Sequence, residues 1–435
     1  MISPIKKLSL IMIPCFLALF AVFTLLQFAK AWAVEAPVEK EAEPVLFPQS
    51  VDAGSPGAGP WLLVVNAAQS NMSVVNTADD TVHGPFLQDQ LGSDGGGRFD
   101  VDITPNGRTA LISNFGDSTV FIIDISNPIS PSVITSVTIP FFAEDIDISP
   151  DGRFALVADG GFSPILASID IASATVYTAN LGAAQAQGVA VAPDGTVIFP
   201  NYFGRSIHTV LLEETGMITY ANPITYANTY TFTFPGTTIT DSNHMPTPVN
   251  IGLAPDGETI IVCSATTSTL GIYRIVSPGV LTFTGVVTGL HGDFEEHENF
   301  NPGVQSVAFN AAGTEAYAVV NAMRMGDITG TLSGDRLAVL NITGPGEVSL
   351  AAGGVATLPH KTSSQLFGVD TVAVASGKVY AGYPTLSSED VERPLAIVDL
   401  NDYSVSSTMV LTYEMSIPTG VAVAPKVVYL PLILR

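Results

Sequence analysis

Short apolar stretches separated by turn residues recur along most of the chain. The clearest unit is an apolar strand, a Pro-Asp-Gly or Pro-Asn-Gly turn, a second apolar strand and then a third. Copies of this unit begin at Val101, Ile146, Val189 and Ile251, and weaker copies begin at Val307 and Val372. This pattern predicts short β-strands, and the glycine in each turn supplies the positive φ that a tight hairpin needs.

The spacing of the units predicts how the strands are arranged. The turn positions are Pro105, Pro150, Pro193, Pro255, Ala311, Ser376 and Pro425. Their separation of roughly 43 to 65 residues is typical of a blade with four short strands. We therefore predict an all-β protein that folds as a seven-bladed β-propeller over residues 61–425.

Both ends of this region contribute to one blade. Trp61 to Asn66 and Met72 to Asn76 are inner strands that lack a first strand, whereas Gly420 to Ala424 is a first strand with no successor. We predict that these segments combine, so that blade 1 is closed by strands from both chain ends and no edge stays open. Residues 426–435 form a further apolar strand or a tail.

The N-terminal segment has the composition of a targeting signal. Lys6 and Lys7 precede an apolar run from Leu8 to Ala29, and small residues flank Trp32. Residues 1–33 are therefore a signal peptide or, given the length of the run, an N-terminal membrane anchor. Residues 34–60 are a Pro/Glu-rich linker. We expect a protein that is secreted or held at the extracytoplasmic cell surface, with membrane contact only through this segment.

Composition and charge exclude several classes of protein. Sixteen basic residues against 40 acidic ones give a net charge of −24, which repels nucleic acids. Charged residues make up only 13% of the chain, so uncharged polar side chains must cover the surface. Two cysteines exclude a disulfide-stapled scaffold. We expect a monomer.

The repeat itself resembles a known family. The second strands end in Leu111-Ile112-Ser113-Asn114 and Ile198-Phe199-Pro200-Asn201, and a third strand reads Val120-Phe121-Ile122-Ile123-Asp124. Together with the Pro-Asp-Gly turns, these motifs resemble secreted seven-bladed propellers of the YVTN type, and Val120 to Pro131 is similar to LVIVD surface repeats. The resemblance implies an extracellular or surface protein with an architecture that lactonase-like enzymes share. Blades 6 and 7 depart from the pattern, because they lack the Pro-Asp-Gly turn.

Four long connections mark one side of the predicted ring. They are Glu213 to Pro248, Leu290 to Gly303, Ala322 to Asp335 and Tyr383 to Pro394. All lie where second or fourth strands end, which we name the loop face; the Pro-Asp-Gly turns define the opposite turn face. Insertions on one face favour a binding role, although loops also tolerate insertion without function. The candidate ligand-binding residues on this face are His244, Arg324, Asp327, His360 and Arg393. The arginines would orient an anionic ligand or pair with nearby carboxylates.

One of these connections is a candidate metal site. His291, Asp293, Glu295 and His297 lie within a short segment. Carboxylates suit Ca²⁺, and a mixture of imidazole and carboxylate suits Zn²⁺. The alternative is an acidic loop exposed to solvent.

A second group of acidic residues lies on the predicted inner strands. Asp100 alternates with Asp102, and Asp145 alternates with Asp147, whereas other blades carry alanine or glycine at the positions of Asp102 and Asp147. A buried carboxylate must be paired or hydrogen-bonded. We expect Asp102 and Asp147 to accept backbone N–H bonds from a neighbouring blade. The alternative is a cation at the mouth of the central channel.

Two classes of function are consistent with these features. The first is a binding or interaction scaffold that contacts a cell-envelope protein, a glycan or a small molecule through the long loops of blades 4–7. The second is a lactonase-like or other hydrolytic enzyme, with or without a metal. The chain has no Gly-x-Ser-x-Gly motif, and we expect Cys263 to be a buried structural thiol. The absence of a compact catalytic motif favours the scaffold.

Overall fold

The computed structural model describes residues 61–66, 70–92, 99–160, 163–182, 185–202, 204–219, 228–231, 247–290, 300–324, 335–358, 371–382, 395–409 and 418–424. Within these residues the secondary structure is entirely β-strand. None of the described segments is a helix long and apolar enough to cross a membrane. The predicted signal or anchor, the linker and residues 426–435 lie outside the described residues.

The first half of the chain supplies sixteen strands. They are β1 (Trp61–Asn66), β2 (Asn71–Asn76), β3 (Thr81–Phe86), β4 (Phe99–Ile103), β5 (Thr109–Asn114), β6 (Thr119–Asp124), β7 (Ser132–Thr138), β8 (Ala143–Ile148), β9 (Phe154–Asp159), β10 (Ile165–Asp170), β11 (Thr175–Asn180), β12 (Ala190–Val191), β13 (Thr196–Asn201), β14 (Ser206–Leu212), β15 (Ile218–Thr219) and β16 (Asn228–Thr231).

The second half supplies thirteen more. They are β17 (Pro248–Leu253), β18 (Thr259–Ser264), β19 (Leu270–Ser277), β20 (Val280–Val287), β21 (Phe300–Phe309), β22 (Glu315–Arg324), β23 (Arg336–Gly344), β24 (Glu347–Thr357), β25 (Thr371–Ala375), β26 (Lys378–Gly382), β27 (Leu395–Asp399), β28 (Val405–Met409) and β29 (Pro418–Ala424).

These strands form seven antiparallel sheets, each of which is one blade. Blades 2 to 7 are built from consecutive strands, beginning with β4, β8, β12, β17, β21 and β25 respectively. These first strands, together with β29, contact one another in sequence around a closed ring. The predicted seven-bladed propeller is therefore confirmed.

Blade 1 closes the ring with strands from both ends of the described region. Its strand order is β29-β1-β2-β3. Trp61 of β1 pairs with Ala424 of β29, and Val65 pairs with Gly420. The prediction that the two chain ends share one blade is confirmed, and this pairing leaves no open seam in the ring.

The turns between first and second strands follow the sequence motif. In blade 3, the Gly152 N–H donates to Ser149 O at 2.7 Å, and Gly152 has a φ of 74°. The Asp151 carboxylate accepts the Arg153 N–H at 3.0 Å. Glycine thus supplies the left-handed conformation, and aspartate caps the backbone of the turn.

The same turns also pack blade against blade. A Cβ on Gly152 would lie 3.0 Å from Cδ of Pro105, the turn proline of the preceding blade. A Cβ on Gly257 would likewise lie 3.1 Å from Cγ of Pro193. The proline of one motif and the glycine of the next are therefore fitted to each other across the blade interface.

The hydrophobic core is divided into layers between neighbouring blades. Alternate residues of each strand face opposite neighbours, since side chains on a strand alternate between its two faces. In β10, Leu166 packs with residues of blade 4, whereas Ile169 packs with residues of blade 2. Every blade is thus apolar on both faces, which explains the continuous apolar runs in the second and third strands.

Outer hairpins add a further set of contacts between blades. The Gly279 N–H, in the outer hairpin of blade 5, donates to Oγ1 of Thr196 in blade 4 at 2.8 Å. The Gly346 N–H of blade 6 donates to Oγ1 of Thr259 in blade 5, also at 2.8 Å. These two outer turns are therefore docked onto the second strand of the preceding blade.

Blade 4 differs from the simple four-stranded pattern. Both β15 and β16 pair with β14, so the outer position is filled by two separate pieces. Part of the segment from Glu213 to Pro248, predicted as an insertion on the loop face, therefore belongs to the blade itself.

Candidate functional site

Most of the predicted loop-face residues lie outside the described part of the chain. These residues are His244, His291, Asp293, Glu295, His297, Asp327, His360 and Arg393. Arg324 is the last residue of β22, and only its backbone is described. The ligand-binding and acidic-loop assignments accordingly stay predictions.

Two of the predicted insertions are nevertheless brought together by strand pairing. Phe300 pairs with Arg324, and Pro302 pairs with Ala322. The strands β21 and β22 have ten residues each, whereas β4 and β5 of blade 2 have five and six. At about 3.3 Å per residue, this hairpin extends beyond the end of an ordinary blade. We name the paired residues 300–304 and 320–324 the loop-face ribbon. The bounds predicted for these two loops were too wide, because parts of both are strand.

The inner strands of blades 2 to 4 are joined by aspartate side chains. Oδ2 of Asp102 accepts the Ile148 N–H at 2.7 Å, and Oδ2 of Asp147 accepts the Val191 N–H at 2.8 Å. This is the backbone role expected for the two residues. Each carboxylate accepts a hydrogen bond from an N–H group on the edge of the next inner strand. Without this bond, the N–H group would point towards the axis of the ring.

A second pair of aspartates repeats this arrangement nearer the loop face. Oδ2 of Asp100 accepts the Ile146 N–H at 3.3 Å, and Oδ2 of Asp145 accepts the Val189 N–H at 2.7 Å. The Asp100 and Asp145 carboxyl groups also influence each other's ionisation.

Burial explains the acid–base properties of this pair. The surrounding protein displaces most of the water around both side chains, and this burial raises the pKa of Asp100 to about 6. Burial and then the negative charge of Asp100 raise the pKa of Asp145 well above its ordinary value. A proton is therefore retained at a pH where an exposed aspartate would be ionised.

Two stacked aromatic rings lie near the loop-face end of these strands, where one of them approaches Glu144. Phe115 and Phe142 are stacked, with ring centroids 4.8 Å apart. The Glu144 side chain and the Phe115 ring occupy the space where a Cβ on Gly160 would lie. Ser113 ties this region to the pair, because its Oγ accepts the Asp100 N–H at 3.0 Å and donates to Glu144 O at 2.8 Å.

Metal-binding and thiol chemistry are not assembled in the part of the chain that the structure describes. No group of three His, Cys, Asp or Glu side chains there is arranged to hold a metal ion. Cys263 is fully buried, and burial raises the pKa of its thiol far above the ordinary value. This agrees with the structural role expected for Cys263.

One polar pair was missed by the sequence analysis. In β14, Oγ of Ser206 lies 2.8 Å from Nε2 of His208, and the imidazole stacks on Phe199 with ring centroids 5.4 Å apart. Both side chains are buried, and burial lowers the pKa of His208 to about 4. The only available signal was the spacing of two, which puts both residues on one side of a strand.

Comparison with known proteins identifies the fold. No protein-family model and no curated protein matches the chain. A functionally unknown protein from Desulfotomaculum acetoxidans matches with a TM-score of 0.62 and 18% identity, over 84% of this chain and 99% of that one.

Two further solved structures have names that refer to lactonases. The periplasmic gluconolactonase of Pseudomonas aeruginosa has a TM-score of 0.59 and 15% identity, over 84% of this chain and 99% of that chain. A Bacteroides uniformis protein assigned provisionally as a 6-phosphogluconolactonase has a TM-score of 0.58 and 10% identity, over the same shares. The chain is therefore an all-β protein with a seven-bladed propeller fold, and its structural neighbours include lactonase-like proteins.

Proposed function

We propose that the protein is a binding scaffold that works outside the cytoplasm and engages its partner through the loop face of blades 4 to 7. The observation that supports this proposal best is the loop-face ribbon, in which Phe300 pairs with Arg324. The ribbon joins two long connections into one projecting element. Elements of this kind, carried on a rigid ring, commonly contact partners.

The closed ring supplies the rigidity that such a scaffold needs. Pairing of β1 with β29 leaves no seam, and buried layers fill the space between neighbouring blades. Because charged residues make up only 13% of the chain, we propose a polar contact that depends weakly on salt.

The proposed location is supported by the N-terminal sequence. A signal or anchor at residues 1–33 favours a secreted or surface-attached protein, and one structural neighbour is named as periplasmic. The proposed partner is a cell-envelope protein or a glycan, with a small molecule as the alternative. The proposed assembly state is a monomer.

The test replaces the outer parts of the loops and leaves the ribbon intact. Short Gly-Ser turns replace residues 291–299 and 325–334, so that Phe300 and Arg324 can still pair. Binding of the purified protein to envelope fractions and to immobilised envelope glycans is then measured at low and high salt. We expect the variant to lose binding that the unmodified protein retains at both salt concentrations.

The matched control changes the opposite face. Asp151→Asn, Asp194→Asn and Asp256→Asn alter three turns without changing their glycines, and Asn106 already occupies this position in blade 2. We expect this control to bind like the unmodified protein. The proposal is wrong if the loop variant retains every partner and the turn-face control loses them.

The acidic loop is proposed to hold Ca²⁺ or Zn²⁺ weakly. His291, Asp293, Glu295 and His297 supply the donors. A cation that binds only the folded protein raises its melting temperature. Calorimetry with metal and with chelator measures this shift. If an Asp293→Ala, Glu295→Ala double variant shows the same metal-induced rise in melting temperature, the acidic loop does not bind the metal.

A lactonase-like hydrolase is the second candidate. The observation in its favour is the raised pKa of both Asp100 and Asp145, which lie at the loop-face end of the inner strands. A protonated and an ionised carboxyl side by side can act as acid and base. Hydrolysis of an aldonolactone by the purified protein, lost in Asp145→Asn, supports this function. No hydrolysis above the spontaneous rate rejects it for that substrate.

A further inference from the structure

One turn of the ring differs chemically from its counterparts. The chain contains a single Asn-Gly dipeptide, Asn106-Gly107, and it lies in the turn between β4 and β5. The corresponding turns of blades 3, 4 and 5 carry Asp-Gly instead, at Asp151, Asp194 and Asp256. An asparagine that precedes glycine is prone to cyclisation, because glycine has no side chain to hinder attack by its own backbone nitrogen. Asn106 is also exposed to solvent.

The contacts of Asn106 match those of the aspartate in the next blade. Oδ1 of Asn106 accepts the Thr104 hydroxyl at 2.8 Å and the Arg108 N–H at 3.0 Å. Oδ1 of Asp151 is held in the same way, by a hydroxyl two residues earlier at 2.7 Å and by the N–H two residues later at 3.0 Å. Because one oxygen makes both contacts in each turn, the turn of blade 2 fits either an asparagine or an aspartate side chain.

We propose that Asn106 is a site of spontaneous deamidation, which converts the turn of blade 2 into the Asp-Gly turn of blades 3 to 5. The Gly107 nitrogen loses its proton and attacks Cγ of Asn106, so that a new N–C bond closes a ring. The side-chain amide group takes up a proton and leaves as ammonia. Water then opens the ring at the Cγ–N bond to give aspartate, or at the backbone C–N bond to give isoaspartate. This chemistry is independent of the partner that the protein binds.

The folded turn slows this reaction. The Gly107 N–H, whose proton must be lost, donates to Thr104 O at 2.8 Å. The two donors on Oδ1 of Asn106 bind the starting amide, so they do not favour the cyclic intermediate selectively. Because the turn has to open before the ring can close, we expect Asn106 to react about tenfold or more slowly in the folded protein than in the unfolded chain.

Only one of the two products fits the turn. Aspartate leaves the backbone unchanged and presents the same oxygen to the Thr104 hydroxyl and the Arg108 N–H. Isoaspartate moves the Gly107 N–H away from Thr104 O, because its longer main chain lies inside the loop that this hydrogen bond closes. We therefore expect the aspartate form to be as stable as the original protein and the isoaspartate form to be less stable.

The test incubates the purified protein at mildly alkaline pH, both folded and in denaturant, and follows deamidation by peptide mass mapping that distinguishes aspartate from isoaspartate. Asn127 is the internal reference, since it is also exposed but precedes Pro128, whose nitrogen carries no proton to lose. We expect conversion at Asn106 and none at Asn127. Conversion of Asn127 as fast as that of Asn106, or equal rates at Asn106 in the folded and unfolded protein, would overturn the proposal.

Two variants test the role of the turn itself. Asp151→Asn places a second Asn-Gly dipeptide in a turn with the same hydrogen bonds, so it should deamidate at about the rate of Asn106. A markedly different rate would mean that the turn does not control the reaction. Asn106→Asp reproduces the aspartate product and should melt within about 2 °C of the freshly purified protein. A much lower melting temperature would refute the fit of a carboxylate in this turn.

Discussion

A half-buried polar cluster holds blade 7 against blade 1 at the point where the ring closes. The Asp80 carboxylate, in the outer turn of blade 1, receives a hydrogen bond from the Tyr380 hydroxyl at 2.8 Å. It also forms an ion pair with Lys378, and the two side chains are 27% and 21% exposed respectively. Thr77 and Ser376 add a hydroxyl contact of 2.8 Å beside it. Because these residues lie at the closing junction, their loss should weaken the ring as a whole.

The perturbation is the double variant Lys378→Met, Tyr380→Phe, which removes both polar contacts and keeps most of the buried volume. Asp80 is left in place, since its φ of 59° is a conformation that alanine adopts poorly. A hydrogen bond to a charged acceptor contributes about 1.5–3 kcal/mol, and a partly exposed ion pair adds about 1 kcal/mol. We expect a loss of about 3 kcal/mol in the free energy of unfolding.

Denaturant unfolding measures this loss, and hydrogen exchange of β1 and β26 locates it. The matched control is Glu258→Gln, which breaks the ion pair with Arg274 in a single blade, where the two side chains are 44% and 45% exposed. Exposed pairs contribute about 0–1 kcal/mol, so the control should be nearly neutral. If the double variant is no less stable than this control, the polar cluster does not hold the junction.

Three further predictions concern the ring, a turn and a buried imidazole. Deleting Pro418 to Arg435 removes β29, so we expect aggregation or loss of most thermal stability; calorimetry that gives the melting profile of the longer protein would disprove closure by this strand. Gly152→Ala should cost about 1–2 kcal/mol, because the turn needs a positive φ and Pro105 fills the space of a Cβ; Gly377→Ala, with the same strain and open space, should cost less in the same denaturation assay. The pKa of His208 is lowered to about 4, so the free energy of unfolding should fall by about 3 kcal/mol as the pH falls from about 6.5 to 4. The difference in unfolding free energy between the unmodified protein and His208→Gln isolates this effect, and a difference that stays constant across this range would refute it.

The blade count and the closure of the ring were predictable because both depend on local signals. The conformation of each Pro-Asp-Gly turn is determined by the residues of the turn itself. In blade 3, for example, Gly152 takes a positive φ and Asp151 caps the adjacent backbone. The continuous apolar strands follow from burial on both faces. The unmatched first strand at Gly420 to Ala424 pointed to a partner at Trp61, because a ring of blades leaves one seam to close.

The weaker repeats limited what could be predicted about the loops. The length of the segments after Leu290 and Ala322 was clear from the spacing of the blades. The pairing of Phe300 with Arg324 could not be predicted, because nothing in either segment marks a continuing strand. Strand pairing between segments far apart in sequence depends on the backbone geometry of the folded blade.

The side-chain chemistry was decided mainly by the tertiary structure. The sequence determined that aspartates alternate along two inner strands, and so that Asp102 and Asp147 needed hydrogen-bond donors. Only the packing of blade 2 on blade 3 brought Asp100 close enough to Asp145 for its negative charge to raise the pKa of Asp145. The contact of Asp80 with Tyr380 likewise joins residues 300 positions apart. A periodic pattern determines local conformation and burial, whereas the approach of two polar groups in different repeats is decided by the radius and closure of the ring.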